Sequence, residues 1–275
     1  MRVPKVQRWI TVFILLCALF IILTPIWWTL VLSFDRTSTT ALPSFSVLPH
    51  EFSLFNYKMA TTMLDLKKYF MNTIFITIVN TVISVFTAVA CGYAFAKGNF
   101  AGKKIWYVVF LSVMMLPWEA RMIPLFLQYK SWGMLNTYWP LILGSFAYVY
   151  GIFFARQNIA GIPDSLRESA LLDGAGEWKV FLKIIIPLSK PVMSALAILQ
   201  VISNWNSYLW PLIILKNKSK QLIAVGVSLF NASSGEIYYG PRMAVAVLGA
   251  FPLIIIFLFL QKYIVQSIAL SGVKQ

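Results

Sequence analysis

The chain has 275 residues, of which 59% are hydrophobic and 12% charged, and a net charge of +14. Soluble domains carry roughly 45–50% apolar and about 25% charged residues. The composition therefore excludes an ordinary soluble domain and places the chain among all-α polytopic membrane proteins. The positive balance fits loops that face anionic headgroups. It does not point to nucleic acid, because no zinc, RNA-recognition or DNA-reading signature accompanies it.

Arg2, Lys5 and Arg8 precede an uncharged run from Trp9 to Phe34. This run is too long for the core of a signal peptide. Pro25 and Trp27-Trp28 give it an interfacial aromatic end. It reads as a first transmembrane helix over 10–33, with the N-terminus inside. Asp35 to Lys68 is a partly polar loop that holds the single histidine, His50, read as a solvated external residue. A second span covers 70–96, within a stretch free of charge. Lys97 to Lys104 is a short turn with three lysines, as cytoplasmic turns have.

A third span, 105–128, contains Glu119 and Arg121 between Pro117 and Pro124. Both prolines are expected to bend or break it. The fourth span is 138–156, and Arg156 opens a central loop. The fifth, 190–214, carries the run Asn204 to Pro211, and Lys216, Lys218 and Lys220 follow it. Gln221 to Gly235 is uncharged but short and rich in Ser, Asn and Gly, so it is not read as a span. The sixth span is 243–262. Six transmembrane helices place both termini on one side. Cys17 and Cys91 lie in apolar runs and read as small buried hydrophobes, not as a disulfide.

The central loop, 164–187, is the most polar long stretch in the chain. Ser165 and Glu168 have the spacing of a capping box. A short helix from there would end near Gly174 or Gly176, where glycine adopts the left-handed conformation at low cost. A second helix fits Glu177 to about Ile186, with Pro187 interrupting it.

This stretch resembles the EAA loop of ABC-importer permeases: Glu-Ala-Ala, three residues, Gly, nine residues, then Ile-x-Leu-Pro. Glu168, Ala170, Gly174, Ile184 and Pro187 stand at the matching places, and Asp173-Gly174-Ala175 follows the carbohydrate-type variant. Ser169 replaces the middle alanine and Ile186 the leucine. Lys97 to Lys104 is similar to the family's turn after the second span, with Ala101 where proline is common. The tail ends in Gly-Val-Lys, as the family's does. The resemblance runs from about Trp9 to Lys274.

The resemblance implies a carbohydrate-type, maltose-permease-like subunit of type I importer fold in a bacterial cytoplasmic membrane. Its implied partners are a second homologous permease, two ATP-binding subunits and an external solute-binding protein. ATP and Mg would sit in the ATP-binding subunits, and this chain would bind no cofactor. It further implies that Glu168, Ala170, Asp173, Gly174, Phe181 and Pro187 serve coupling to the ATPase. The plainer reading is that Glu168 caps a helix and Gly174 ends it. In maltose-type permeases the loop before the last span reaches the binding protein. Here that loop would offer Ser233, Ser234, Gly235 and Tyr238.

A substrate pathway is expected at Asn204, Trp205, Asn206, Tyr208 and Trp210. On one helix, Asn204 would share a face with Tyr208, and Asn206 with Trp210. Amides beside aromatic rings suit a sugar. Amides inside a span also serve to bond neighbouring helices. Trp118, Glu119 and Arg121 form a second candidate, with an acid–base pair at a helix break. Arg121 and Arg242 leave open an anionic solute such as glycerol phosphate or a uronate oligosaccharide. No G-x-x-x-x-G-K-[ST] loop occurs, so ATP hydrolysis belongs to a partner and the chain is not an enzyme. A stand-alone secondary transporter would need titratable groups within the spans, where only Glu119 and Arg121 qualify.

Overall fold

A computed structural model describes residues 5–230 and 237–272 of the chain. In chain order the helices are α1 (Lys5–Phe34), α2 (Phe55–Met63), α3 (Leu66–Lys97), α4 (Lys103–Met114), α5 (Trp118–Ser131), α6 (Trp139–Leu143) and α7 (Val149–Ala160). Then come α8 (Asp164–Leu172), α9 (Glu177–Val180), α10 (Ile186–Leu188), α11 (Lys190–Trp205), α12 (Leu209–Ile214), α13 (Ile223–Gly226) and α14 (Tyr239–Gly272). A π-helical turn, Phe181–Ile185, joins α9 to α10. Among the described residues there is no strand, only an isolated bridge between Asp35 and Phe52.

Four helical stretches are long and apolar enough to cross a membrane: Gln7–Phe34, Leu66–Lys97, Trp139–Ala160 and Tyr239–Leu258. Two bent pairs bring the number to six if each counts as one span. The first pair, α4 with α5, bends by 101°. The break falls just before Pro117, whose ring disfavours helix at the preceding residue. Pro124 does not break the chain as expected. It lies inside α5, where the loss of one ladder bond is held by the bonds on either side. The second pair, Glu177–Leu188 with Lys190–Trp205, bends by 76° at Ser189. The helix thus passes through Pro187 instead of stopping there. The preceding π-turn widens the backbone, with the Ile186 N–H bonded back to the Phe181 carbonyl, which makes room for the ring.

The expected single fifth span is also interrupted. α11 ends at Trp205 and α12 starts at Leu209. Pro211 cannot donate to the Ser207 carbonyl and its ring crowds that carbonyl, so the helix restarts after Ser207. The Asn206 amide bonds back to the Ile202 carbonyl at 2.9 Å and closes the first helix.

The chain divides into two compact units, each described by itself. The first comprises Met1–Lys67 and Ile223–Pro252. Its ordering centre is Asp35, a carboxylate with no solvent exposure. It accepts hydrogen bonds from the backbone N–H groups of Thr37, His50 and Glu51 and from the Thr37 hydroxyl. The His50 ring lies 2.8 Å away. Burial alone would raise the Asp35 pKa, but the bonds from His50 and Thr37 outweigh it and hold the carboxyl well below the usual range. His50 is therefore a half-exposed tie of its loop to the end of α1, not a freely solvated residue. Cys17 is exposed on α1 rather than buried, because none of the apolar window of that helix is covered within the chain.

The second unit comprises Lys68–Leu222 and Leu253–Gln275. One core gathers Val89, Ile152, Ile159, Phe181, Ile185 and Leu196, so α3, α7 and the segment after α8 meet there. α3 and α7 approach so closely at Gly92 that an added Cβ would stand 2.7 Å from the Ala155 Cβ. A second core holds Ile76, Tyr129, Leu141, Trp210, Ile214 and Leu222.

Candidate functional site

The loop 164–187 is built locally. α8 starts at Asp164 after Pro163, with no side-chain cap. The Ser165–Glu168 capping box does not form. Ser165 already lies inside the helix, and its carbonyl accepts from the Ser169 hydroxyl at 2.8 Å. The other end is as the glycine requires. Gly174 has φ of 79°. Its N–H bonds to the Leu171 carbonyl at 3.1 Å, and the Ala175 N–H bonds to the Ala170 carbonyl at 2.9 Å. This pair of bonds is the Schellman motif.

Ala170 packs on the core beneath, and Phe181 is buried in it. Glu168, Asp173, Gly174 and Pro187 are exposed. Neither the Glu168 nor the Asp173 carboxylate has a partner among the described residues. Leu172, one turn beyond Glu168, is 88% exposed. An apolar side chain and a carboxylate thus stand bare on one turn.

The second unit also holds a cavity of about 740 Å³. Trp118, Arg121, Asn204, Tyr208 and Trp210 all line it. Asn204 and Tyr208 do not share one helix face as expected, because the helix breaks after Trp205; both line the cavity all the same. Trp118 and Trp210 meet edge to face at 5.4 Å, and the Arg121 guanidinium lies over Trp118 at 5.5 Å. Trp210 Nε1 donates to the Pro140 carbonyl. Three predicted residues stand apart from this lining. Trp205 is buried against Phe70, while Asn206 and Glu119 are exposed. No Glu119–Arg121 ion pair forms, since residues two apart on a helix point to different sides.

Residues that the sequence reading missed complete the wall. Asn80, on α3, donates to the Asn204 side chain at 2.9 Å and to the Leu141 carbonyl at 3.2 Å. Asn204 in turn donates to Gln200. Asn80 Oδ1 and Arg121 Nε are buried and have no hydrogen-bond partner among the described residues. An amide within the apolar run of α3 was the available signal, because such a group is costly in a membrane. Ser233, Ser234 and Gly235 lie outside the described residues. Tyr238 is half-buried, and its N–H bonds to the Phe230 carbonyl. Among the described residues no group of three or more His, Cys, Asp or Glu stands close enough to hold a metal ion.

Comparison with known proteins agrees with this architecture. Residues 84–270 match the family "Binding-protein-dependent transport system inner membrane component". The chain is 36% identical to the arabinooligosaccharides transport system permease protein AraQ of Bacillus subtilis, over 75% of this chain and 73% of that one. It is 32% identical to the lactose transport system permease protein LacG of Rhizobium radiobacter, over 99% and 97% of the two chains. It is 30% identical to the diacetylchitobiose uptake system permease protein NgcG of Streptomyces coelicolor, over 90% and 83%. A crystal structure of a bacterial ABC transporter for alginate import contains a chain of the same fold, with a TM-score of 0.84 at 23% identity, covering 96% of this chain and 99% of that one. The chain belongs to the family of binding-protein-dependent transport system inner membrane components, and within it to the permeases of carbohydrate ABC importers.

Proposed function

We propose that the chain moves a sugar or oligosaccharide, delivered by an external binding protein, by ATP-driven alternating access in a bacterial cytoplasmic membrane. Both termini face the cytoplasm in this reading. The observation that carries it is the cavity, where amides and hydroxyls alternate with the rings of Trp118, Tyr208 and Trp210. Its volume lies within the usual range for small-ligand sites, about 300–1,000 Å³. Rings stack on the C–H faces of a sugar, and Asn80, Asn204 and Arg121 supply hydrogen bonds to its hydroxyls. The relatives named for arabinooligosaccharides, lactose and diacetylchitobiose support this class of solute. They do not favour the glycerol-phosphate or uronate alternative.

The coupling surface is α8, with Glu168, Leu172, Asp173 and Gly174 facing the ATP-binding subunit, and Ala170, Phe181 and Pro187 seating the loop. ATP binding closes the two ATPase subunits on α8, and the pathway opens outward. ATP hydrolysis and Mg stay in those subunits. A second permease completes the pathway, and the loop containing Ser233, Ser234, Gly235 and Tyr238 meets the binding protein.

The test is uptake by the chain co-purified with its partners and placed in liposomes. Saturable uptake of an arabino-oligosaccharide, lactose or diacetylchitobiose that needs both ATP and the binding protein is expected. Uptake without ATP by this chain alone, or uptake of glycerol phosphate in preference to every sugar, overturns the reading.

A further inference from the structure

Loop 164–187 does not rest on the membrane helices through apolar packing alone. Two side chains one turn apart on α3 reach it. Lys97, only 7% exposed, places its ammonium 2.7 Å from the Asp164 carboxylate. The same group donates to the Ile162 carbonyl at 2.6 Å and to the Ala160 carbonyl at 3.5 Å. Three acceptors meet its three N–H donors. They belong to the end of α7, the turn after it and the first residue of α8.

Tyr93 holds the other end. Its hydroxyl donates to Glu177 Oε2 at 2.5 Å. Glu177, at the start of α9, also receives a two-point contact from Arg167 of α8. The Tyr93 ring stacks on Phe181 at 5.7 Å. α3 therefore grips the loop both before and after the exposed turn at Gly174. The same helix carries Asn80, bonded to Asn204 in the cavity wall. At ~1.5 Å rise per residue, Asn80 and Tyr93 stand about 20 Å apart on one continuous helix.

We propose that Tyr93 and Lys97 are positioning residues that fasten the coupling loop to α3, so that displacement of α8 moves α3 and, through Asn80, the cavity wall. The proposal rests on the importer reading above. It needs two-point attachment: a single tie lets the loop pivot, whereas ties at both ends make the loop and α3 move together. Neither side chain lines the cavity.

The test uses the complete complex in liposomes, with the loaded binding protein present. Transport per ATP hydrolysed is measured for Tyr93→Phe, Lys97→Met, the double variant and Lys97→Arg. In the double variant the ratio is expected to fall at least about fivefold, the lower end of a typical coupling between sites. Basal ATPase activity and subunit stoichiometry are expected to stay at the wild-type level. Lys97→Arg is expected to retain most of the ratio, because a cation and several donors remain. Tyr93→Phe removes one hydroxyl and leaves the ring stack, so it carries the test even if the double variant does not assemble. An unchanged ratio, or a loss of transport in strict proportion to lost assembly, overturns the proposal. Failure of the importer reading is separate and visible in the wild-type complex, as an absence of ATP-dependent uptake.

Discussion

The loop 164–187 and the cavity belong to the same unit of the molecule, yet the polar groups that tie the loop to α3 and those of the cavity wall are treated in opposite ways. In the loop, Asp164, Arg167, Glu177, Tyr93 and Lys97 satisfy one another, and the turn at Gly174 is closed by its own backbone. In the cavity, Asn80 Oδ1 and Arg121 Nε are left without partners, beside rings that pack on one another. On the proposed function, a segment that transmits motion has to be complete in itself, since any loose tie absorbs the displacement, and a wall that receives a polyhydroxylated solute has to keep hydrogen-bonding capacity in reserve. Buried groups of that kind are costly, and two of the seven found among the described residues, Asn80 Oδ1 and Arg121 Nε, line the cavity.

The largest test of this contrast is Trp210→Ala. Trp210 is 9% exposed and touches both Trp118 and Tyr129 through its ring. Its removal is expected to destabilise the chain by about 3–5 kcal/mol, as large aromatic truncations do, and to abolish solute uptake. Thermal unfolding in detergent, together with uptake, checks this. A variant of full stability and full uptake would remove the cavity from consideration.

Next is the Asn80–Asn204 pair. Asn204→Leu removes one of the two acceptors of the Asn80 amide and is expected to cost roughly 0.6–2 kcal/mol, the range for side-chain hydrogen bonds between membrane helices. Asn80→Leu with Asn204→Leu together should cost less than the two singles summed, because the shared Asn80–Asn204 bond is then lost only once. Solute affinity should fall in all three, while basal ATPase activity holds. A double variant with wild-type affinity would make the pair simple helix–helix bonding.

The same contrast explains what the sequence could show. The loop was legible because its determinants are neighbours: Gly174 needs a left-handed backbone whatever surrounds it, and the bonds that close the turn, Gly174 to Leu171 and Ala175 to Ala170, span three and five residues. The outcomes at Ser165 and Pro187 were not legible, because Asp164 and Pro163 start the helix earlier and the π-turn at Phe181 relieves the proline. The cavity was legible only in part. Asn204, Tyr208, Trp210, Trp118 and Arg121 were visible as polar or aromatic groups in apolar runs. Their meeting was not, since Asn80 and Asn204 are 124 residues apart in sequence. The break before Pro117 was legible from the proline itself, whereas the one after Trp205 depends on which backbone bonds the packing keeps, and spacing does not reveal that. Lys97 reads from sequence as a topological charge; its role at the head of the loop appears only when α7 and α8 are beside it.

Gly174→Ala has a smaller expected effect. Nothing stands within 4 Å of an added Cβ, so no clash arises. Only the left-handed backbone is penalised, by about 1 kcal/mol. Global stability should barely move, while coupling to the ATPase falls, because the turn carries the exposed end of α8. Transport per ATP against unfolding temperature separates the two. Equal relative losses would mean that the turn merely holds the fold.

The smallest effect expected is that of pH on the ties of the loop. The Arg167 hydrogen bond, followed by that from Tyr93, holds the Glu177 carboxyl below its ordinary value of 4.5, with burial opposing. The Lys97 hydrogen bond and charge hold Asp164 below its ordinary value of 3.8. A carboxylate with a depressed pKa gives its full stabilisation above the unfolded-state value and loses it as pH falls through the folded-state value. The ties should therefore be constant from pH ~8 down to ~5 and weaken only below about pH 4. Asp164 and Glu177 are exposed carboxylates, so salt should weaken the ties somewhat as well. Amide hydrogen exchange of residues 160–180, corrected for the intrinsic pH dependence, is the measurement. A loosening between pH 7 and 5 would mean that another group than Asp164 and Glu177 governs the loop. Constancy there, with loosening in acid, would show that the closed half of the comparison is closed by charge as well as by backbone.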